Sequence, residues 1–312
     1  MKISRIAAIA SVLFGLVQAA VAQETPKAIT IATEGAYAPW NFTTADGKLD
    51  GFEVDLANDL CGRMKIECKI VAQDWDGMIP ALTVGKFDVI MASMFITEKR
   101  LKVIDFTQPY AVDPSGFAVA KDSELGKLGI SNERFKLDNE ASSQAAIDKL
   151  KPLLKGKIIG VQAATANLEF LKKYFSDVAE IREYKTTEQH DLDLAAGRID
   201  ALFAQQTALA ATLSKPEFSD YTLAGPGFVG GLFGLGSGAG IRKEDTKLKD
   251  MLNGAIDAAT ADGTIKTLSL KWAQERRHSS QVSACRRTAI PDHVPELSRS
   301  SCRGINAGGI NG

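Results

Sequence analysis

The feature that most constrains this 312-residue chain is an almost unbroken alternation of short β-branched runs with segments of helical spacing. Ala28 to Thr33 (AITIAT) reads as a strand. Phe52 to Met64 sets Val54, Ala57, Leu60, Cys61 and Met64 on one helical stripe. Strands at Cys68 to Ala72 and Phe87 to Ala92 flank a short helix over Gly77 to Val84, which admits Pro80 in its first turn. Thr97 is placed to cap a helix running to Lys102. The theme returns with strands at Gly116 to Ala120, Lys157 to Gln162, Ile181 to Tyr184 and Ala201 to Ala204. Helices from Thr165, Thr187 and Thr207 separate them. Such an order predicts an α/β fold of parallel sheets with crossover helices.

The ends and the loops differ from this body. Lys2 and Arg5, the apolar run Ile6 to Val17, and Ala20-Val21-Ala22 match a secretory signal peptide over residues 1–22. The run is shorter than the roughly 20 apolar residues of a membrane span. Ser123 to Ser143 has weak periodicity and reads as a surface excursion. The glycine-rich stretch Gly225 to Gly240 lacks the Lys-Ser/Thr ending of a phosphate loop, so a flexible crossing that then enters a strand is expected. Helices follow over Lys243 to Ala261 and Thr264 to Ala273. Residues 276–312 are rich in arginine, serine and glycine without periodicity, as a disordered or out-of-frame end would be.

Charge and chemistry narrow the function. The chain carries 37 basic and 38 acidic residues, but Lys2, Arg5 and six arginines after Glu275 lie outside the body, which is therefore acidic. No basic patch points to a nucleic-acid partner. His190 is the single histidine before the tail, and the bland expectation for it is a helix-surface or partly packed side chain. No zinc, metalloprotease or nucleophile-elbow pattern occurs, so neither a cofactor nor a metal is expected. Cys61 and Cys68 lie seven residues apart around a helix-to-strand turn. A disulfide is allowed there in an exported chain, and buried free thiols are the alternative.

Residues 27–275 closely resemble the amino-acid-binding proteins of bacterial ABC importers. The resemblance rests on several blocks in order: ATEGAYAPWNF, GKLDGFEVDLANDLCGRMKIEC, DWDGMIPAL, DVIMASMFITEKR, IDFTQPY, IGVQAATANLEF, AGRIDALFA and the closing GTIKTLSLKW. It implies a type II binding-protein fold, two lobes joined by two crossing segments and closing on a ligand. The first lobe would comprise residues 23–112 and 225–275, and the second residues 113–224. Arg100 then matches the arginine that grips the ligand carboxylate, a role suited to a planar guanidinium. Tyr37 and Trp75 match aromatic positions that sandwich the ligand side chain. Glu34 matches an acid that meets a distal cationic group, and Ser93 and Thr165 match donors to the carboxylate. Ala92, Met94, Phe95, Gln162 and Ala163 fall in the same ligand-facing blocks.

The departures bear on the ligand. Where members of the family hold an α-ammonium with an aspartate, this chain has Gln205. Phe95 replaces a frequent serine, and Ala163-Ala164 replaces a glycine-serine pair. The sequence closely resembles opine-binding members of the octopine and nopaline type, whose ligands carry a secondary amine and an extra carboxylate. A glutamine avoids setting an aspartate against that second carboxylate. The resemblance implies a monomeric periplasmic receptor that delivers an opine to an inner-membrane ABC permease. A receptor for arginine, lysine, ornithine or histidine is the alternative, and a dehydratase-type enzyme or a sensory module on the same fold is a further one.

Overall fold

The computed structural model describes residues 26–273. The expected signal peptide, the tail from 276, and Cys285 and Cys302 lie outside the described residues. Among the described residues no helix is long and apolar enough to cross a membrane.

Two sheets organise the molecule into two lobes. The first runs in the order Glu67–Ala72, Ala28–Thr33, Val89–Ile90, Gly240–Ile241, Asp105–Phe106. Its first three strands are parallel, while Gly240–Ile241 enters antiparallel between Val89–Ile90 and Asp105–Phe106. The second runs Glu180–Tyr184, Ile158–Gln162, Ala201–Gln205, Ser115–Ala120, Tyr221–Val229, Ile130–Lys136. Here too Ser115–Ala120 is antiparallel to both neighbours. The expected parallel sheets are therefore mixed, because strands that arrive from the other lobe run against the local direction. A small ribbon of Ala36–Tyr37, Asn41–Thr43 and Leu49–Asp50 stands beside the first sheet.

Local chemistry fixes the helix ends. Phe52–Met64 begins after Gly51, at φ 128, where a Cβ would lie 2.5 Å from the Trp40 carbonyl oxygen. Only glycine tolerates both. The helix stops at Lys65, which adopts the left-handed conformation and returns its amide to the Cys61 and Gly62 carbonyls. Thr97, Thr165 and Thr186 each cap a helix with the side-chain oxygen, and Thr186 completes a capping box with Gln189.

Three segments depart from the sequence expectation. Ser123 to Ser143 is no excursion: it holds the helix Glu124–Leu128, the strand Ile130–Lys136 and the start of the helix Glu140–Leu154. The strand is an exposed sheet edge that carries Glu133, Arg134 and Lys136, which blunts edge-to-edge pairing and also hides the strand from a hydrophobic reading. The glycine-rich stretch stays in the second sheet as far as Val229, and the chain leaves that sheet only then. His190 is fully buried against the edge of Tyr184, ring centroids 6.0 Å apart, rather than on a helix surface.

The second lobe packs around phenylalanines. Phe117, Phe170, Phe175, Phe203, Phe228 and Phe233 are all buried, with Phe170 stacked on Phe203 at 4.9 Å and 9°. The first lobe packs Leu56 and Leu60 against Leu252 and Ile256 of the helix Thr246–Ala261. Cys61 and Cys68 form a disulfide that ties the end of the first helix to the outer strand, with Cα atoms 6.1 Å apart. Intact-mass measurement is expected to show two more hydrogens after reduction, and reduction to cost no more than about 2–4 kcal/mol, since the closed loop is short. Two alkylatable thiols at these positions in the native protein would contradict the bridge.

Candidate functional site

The site lies where the two lobes meet. Across that line Ser93 Oγ donates to Gln205 Oε1 at 3.0 Å, and Gln162 Nε2 donates to Glu34 Oε1 at 2.6 Å. Thr187 Oγ1 donates to the Ala36 carbonyl at 2.9 Å. Lys99 pairs with Glu169 at 2.9 Å and Lys185 with Asp74 at 2.8 Å. Hydrogen bonds and ion pairs thus join the two lobes.

A small cavity of about 20 Å³ sits between them, lined by Tyr37, Trp75, Ala92, Ser93, Phe95, Arg100, Gln162, Thr165 and Gln205, with Ala166 and Asn167. That is room for about one water. Outside it, a groove of about 680 Å³ shares Arg100, Thr165 and Ala166 with the inner space. Arg100 therefore stands at the boundary between the two.

Arg100 lies in the short helix Glu98–Leu101, held at its entrance by the Thr97 cap. Its guanidinium is 5.2 Å from the centre of the Trp75 ring and donates from Nη1 to the Phe95 carbonyl at 3.0 Å. Burial lowers its pKa to about 10, and no acidic neighbour opposes that shift. A half-buried cation whose guanidinium hydrogen-bonds only carbonyls among the described residues is poised to receive an anion.

Gln205 is 3% exposed. Its Oε1 takes the Ser93 hydroxyl, while its Nε2 has no partner among the described residues. Its backbone amide donates to the Tyr37 hydroxyl, whose pKa burial pushes well above 10. Trp75 Nε1 is a second buried donor without a partner among the described residues. The site so built offers donors to its contents, together with a cation that has no acidic partner among the described residues.

Of the residues expected here, three stand elsewhere. Met94 is buried in the first-lobe core, while Ser93, which turns the chain at φ 49, and Phe95 line the cavity on either side of it. Ala163 turns its amide to the Tyr184 carbonyl, and it is the Ala164 carbonyl that reaches toward Arg100, at 3.5 Å. Glu34 sits one step behind the lining and meets it through Gln162. Ala166 and Asn167 escaped residue-by-residue reading. They form the first turn after the Thr165 cap, and that cap was the signal that could have found them.

Residues 29–275 match the family model described as bacterial extracellular solute-binding proteins, family 3. The chain belongs to this family. Among characterised members it is 47% identical over 279 residues to the octopine-binding periplasmic protein of Rhizobium meliloti, covering 83% of this chain and 94% of that protein. It is 36% identical over 250 residues to the histidine-binding periplasmic protein of Salmonella typhimurium, covering 79% and 88%. Its fold superposes with a TM-score of 0.66 on an ancestral arginine-binding protein bound to arginine, at 27% identity, covering 80% of this chain and 99% of that one. Such solute-binding proteins share the two-lobed architecture seen here.

Glu34 gives the site a pH dependence. Burial is the main cause that raises its carboxyl to about 7, the Gln162 hydrogen bond lowers it, and Asp74, Glu53 and Asp76 raise it further. The folded state therefore holds a proton that the unfolded chain releases near 4.5. Its contribution to stability is full below that value and is lost as pH rises through 7. Replacing Glu34 with glutamine is expected to flatten this part of the stability curve between pH 4.5 and 7, read by denaturant melts. An unchanged slope would show that Glu34 does not titrate in that range.

Proposed function

We propose that this protein is a periplasmic receptor that binds an opine of the octopine or nopaline type, or a related arginine derivative, and presents it to an ABC permease. The observation that carries the ligand class is Gln205. A fully buried amide with a free donor stands where an amino-acid receptor of this family would place an acid. A donor there suits a carboxylate-rich ligand with a secondary amine, and an aspartate would repel the second carboxylate. Arg100 would take one carboxylate, Tyr37 and Trp75 would hold the aliphatic stem, and Glu34 would meet the distal cationic group. The 47% identity to an octopine-binding protein supports the same class.

In this reading the chain works as a monomer and catalyses nothing. Glu34 is engaged by Gln162 rather than aimed at a reacting atom. The lobes would comprise residues on either side of crossings near Thr107–Asp113 and Gly230–Ser237, with opening and closing about those crossings. A receptor for a free basic amino acid is the second reading, favoured by Glu34 and by the identity to a histidine-binding protein. Calorimetry with octopine, nopaline, arginine and histidine tests the choice. Tight binding of an opine is the expected result. Tight arginine or histidine binding with every opine ignored would overturn the opine reading and leave solute binding standing.

A further inference from the structure

Glu53 is not among the residues that line the cavity, yet three segments that build the site converge on it. It is 1% exposed. Its Oε1 accepts the Ser93 amide at 2.6 Å and the Tyr110 hydroxyl, and its Oε2 accepts Asn41 Nδ2 at 2.6 Å. A first-turn acid on a helix is ordinarily a solvent-facing partner of the helix dipole. Glu53 instead points inward to donors that lie far from its own helix in the chain.

Each donor governs a different working part. Asn41 turns its Oδ1 to the Gly35 amide at 2.8 Å, which fixes the turn between Glu34 and Tyr37. Ser93 is held at φ 49, a left-handed conformation that a serine keeps only when its surroundings impose it, and its hydroxyl reaches Gln205 in the other lobe. Tyr110 lies on the outgoing crossing, where its amide donates to the Ser237 carbonyl of the returning one at 2.9 Å. Burial raises the Glu53 carboxyl, and the three hydrogen bonds act against that shift by favouring its charged form.

We infer that Glu53 is a positioning residue that locks the Glu34–Tyr37 loop, the Ser93 turn and the crossing segments into one unit, so that site geometry and lobe angle are set together. As far as affinity is concerned, this rests on the solute-binding reading above.

The hydrogen-bond pattern supplies its own test. In Glu53→Gln one amide hydrogen pair must face a donor, whichever way the side chain turns. In Asn41→Asp two carboxylates meet. The double variant Glu53→Gln with Asn41→Asp restores every bond: the new glutamine oxygen keeps Ser93 and Tyr110, its amide donates to the new aspartate, and that aspartate keeps Gly35. Each single variant is expected to weaken octopine or arginine binding about tenfold or more and to shift the Ser93 amide proton in the ligand-free protein, with the double recovering both. Wild-type affinity and an unmoved Ser93 amide in the singles would overturn the inference, as would a double no better than the worse single. Should a single variant not fold, Tyr110→Phe removes one donor alone. It is expected to weaken binding a few-fold at an unchanged Ser93 amide, and full affinity there would count against the crossing's part. If the wild type binds neither probe, the ligand reading falls, and the Ser93 amide across the variants still decides the role of Glu53.

Discussion

Arg100→Ala is expected to weaken opine binding by about 30- to 5,000-fold, the equivalent of roughly 2–5 kcal/mol for stranding a desolvated carboxylate. The effect follows from the position of the guanidinium. It lies against Trp75 at the boundary between the inner cavity and the outer groove, with carbonyls rather than acids as partners. The same variant should leave the melting temperature of the ligand-free protein unchanged or slightly higher, because it removes a half-buried cation that no acid among the described residues offsets. The two readouts thus move in different directions. Calorimetry and thermal melts on one preparation check both, and parallel losses of stability and affinity would mean that Arg100 is structural.

Gln205→Asp is expected to exchange ligand preference rather than abolish binding. The Ser93 hydroxyl can still donate to the new carboxylate, so the link between lobes survives. The unpartnered amide disappears and an anion takes its place at a buried position. A primary ammonium gains a partner there, while an opine's second carboxylate meets a like charge. A tenfold loss for octopine together with a tenfold gain for arginine would be a swing of about 2.8 kcal/mol, well within what a buried charge commands. Equal changes for both ligands would show that position 205 does not read the α-nitrogen.

How much of this was legible in the sequence depends on what each residue faces. Buried strands and amphipathic helices announced themselves: Phe52–Met64 falls on its expected bounds, because one stripe is apolar and glycine and a turn close the ends. The edge strand Ile130–Lys136 did not, since an edge needs charge where an inner strand needs apolar residues. A strand after the glycine-rich crossing was expected, but not that Gly240–Ile241 runs antiparallel to both its neighbours, since its direction is decided by its arrival from the other lobe and leaves no local mark. In the site, Arg100, Trp75 and Gln205 were readable through a family pattern, and they line one cavity. Glu53 was invisible, since a first-turn acid in sequence looks the same whether it meets water or three buried donors.

The sheet order also sets a timetable. Every strand of the second sheet lies between residues 115 and 229, so that lobe has all its strands once the chain has reached Val229. The first sheet still lacks Gly240–Ile241, which sits between Val89–Ile90 and Asp105–Phe106, and its core waits further for Leu252 and Ile256. The half that is begun first is therefore finished last. For as long as the second half is being made, the opening ninety residues carry apolar strands with an unfilled gap beside them, which is when such a chain is most open to mispairing.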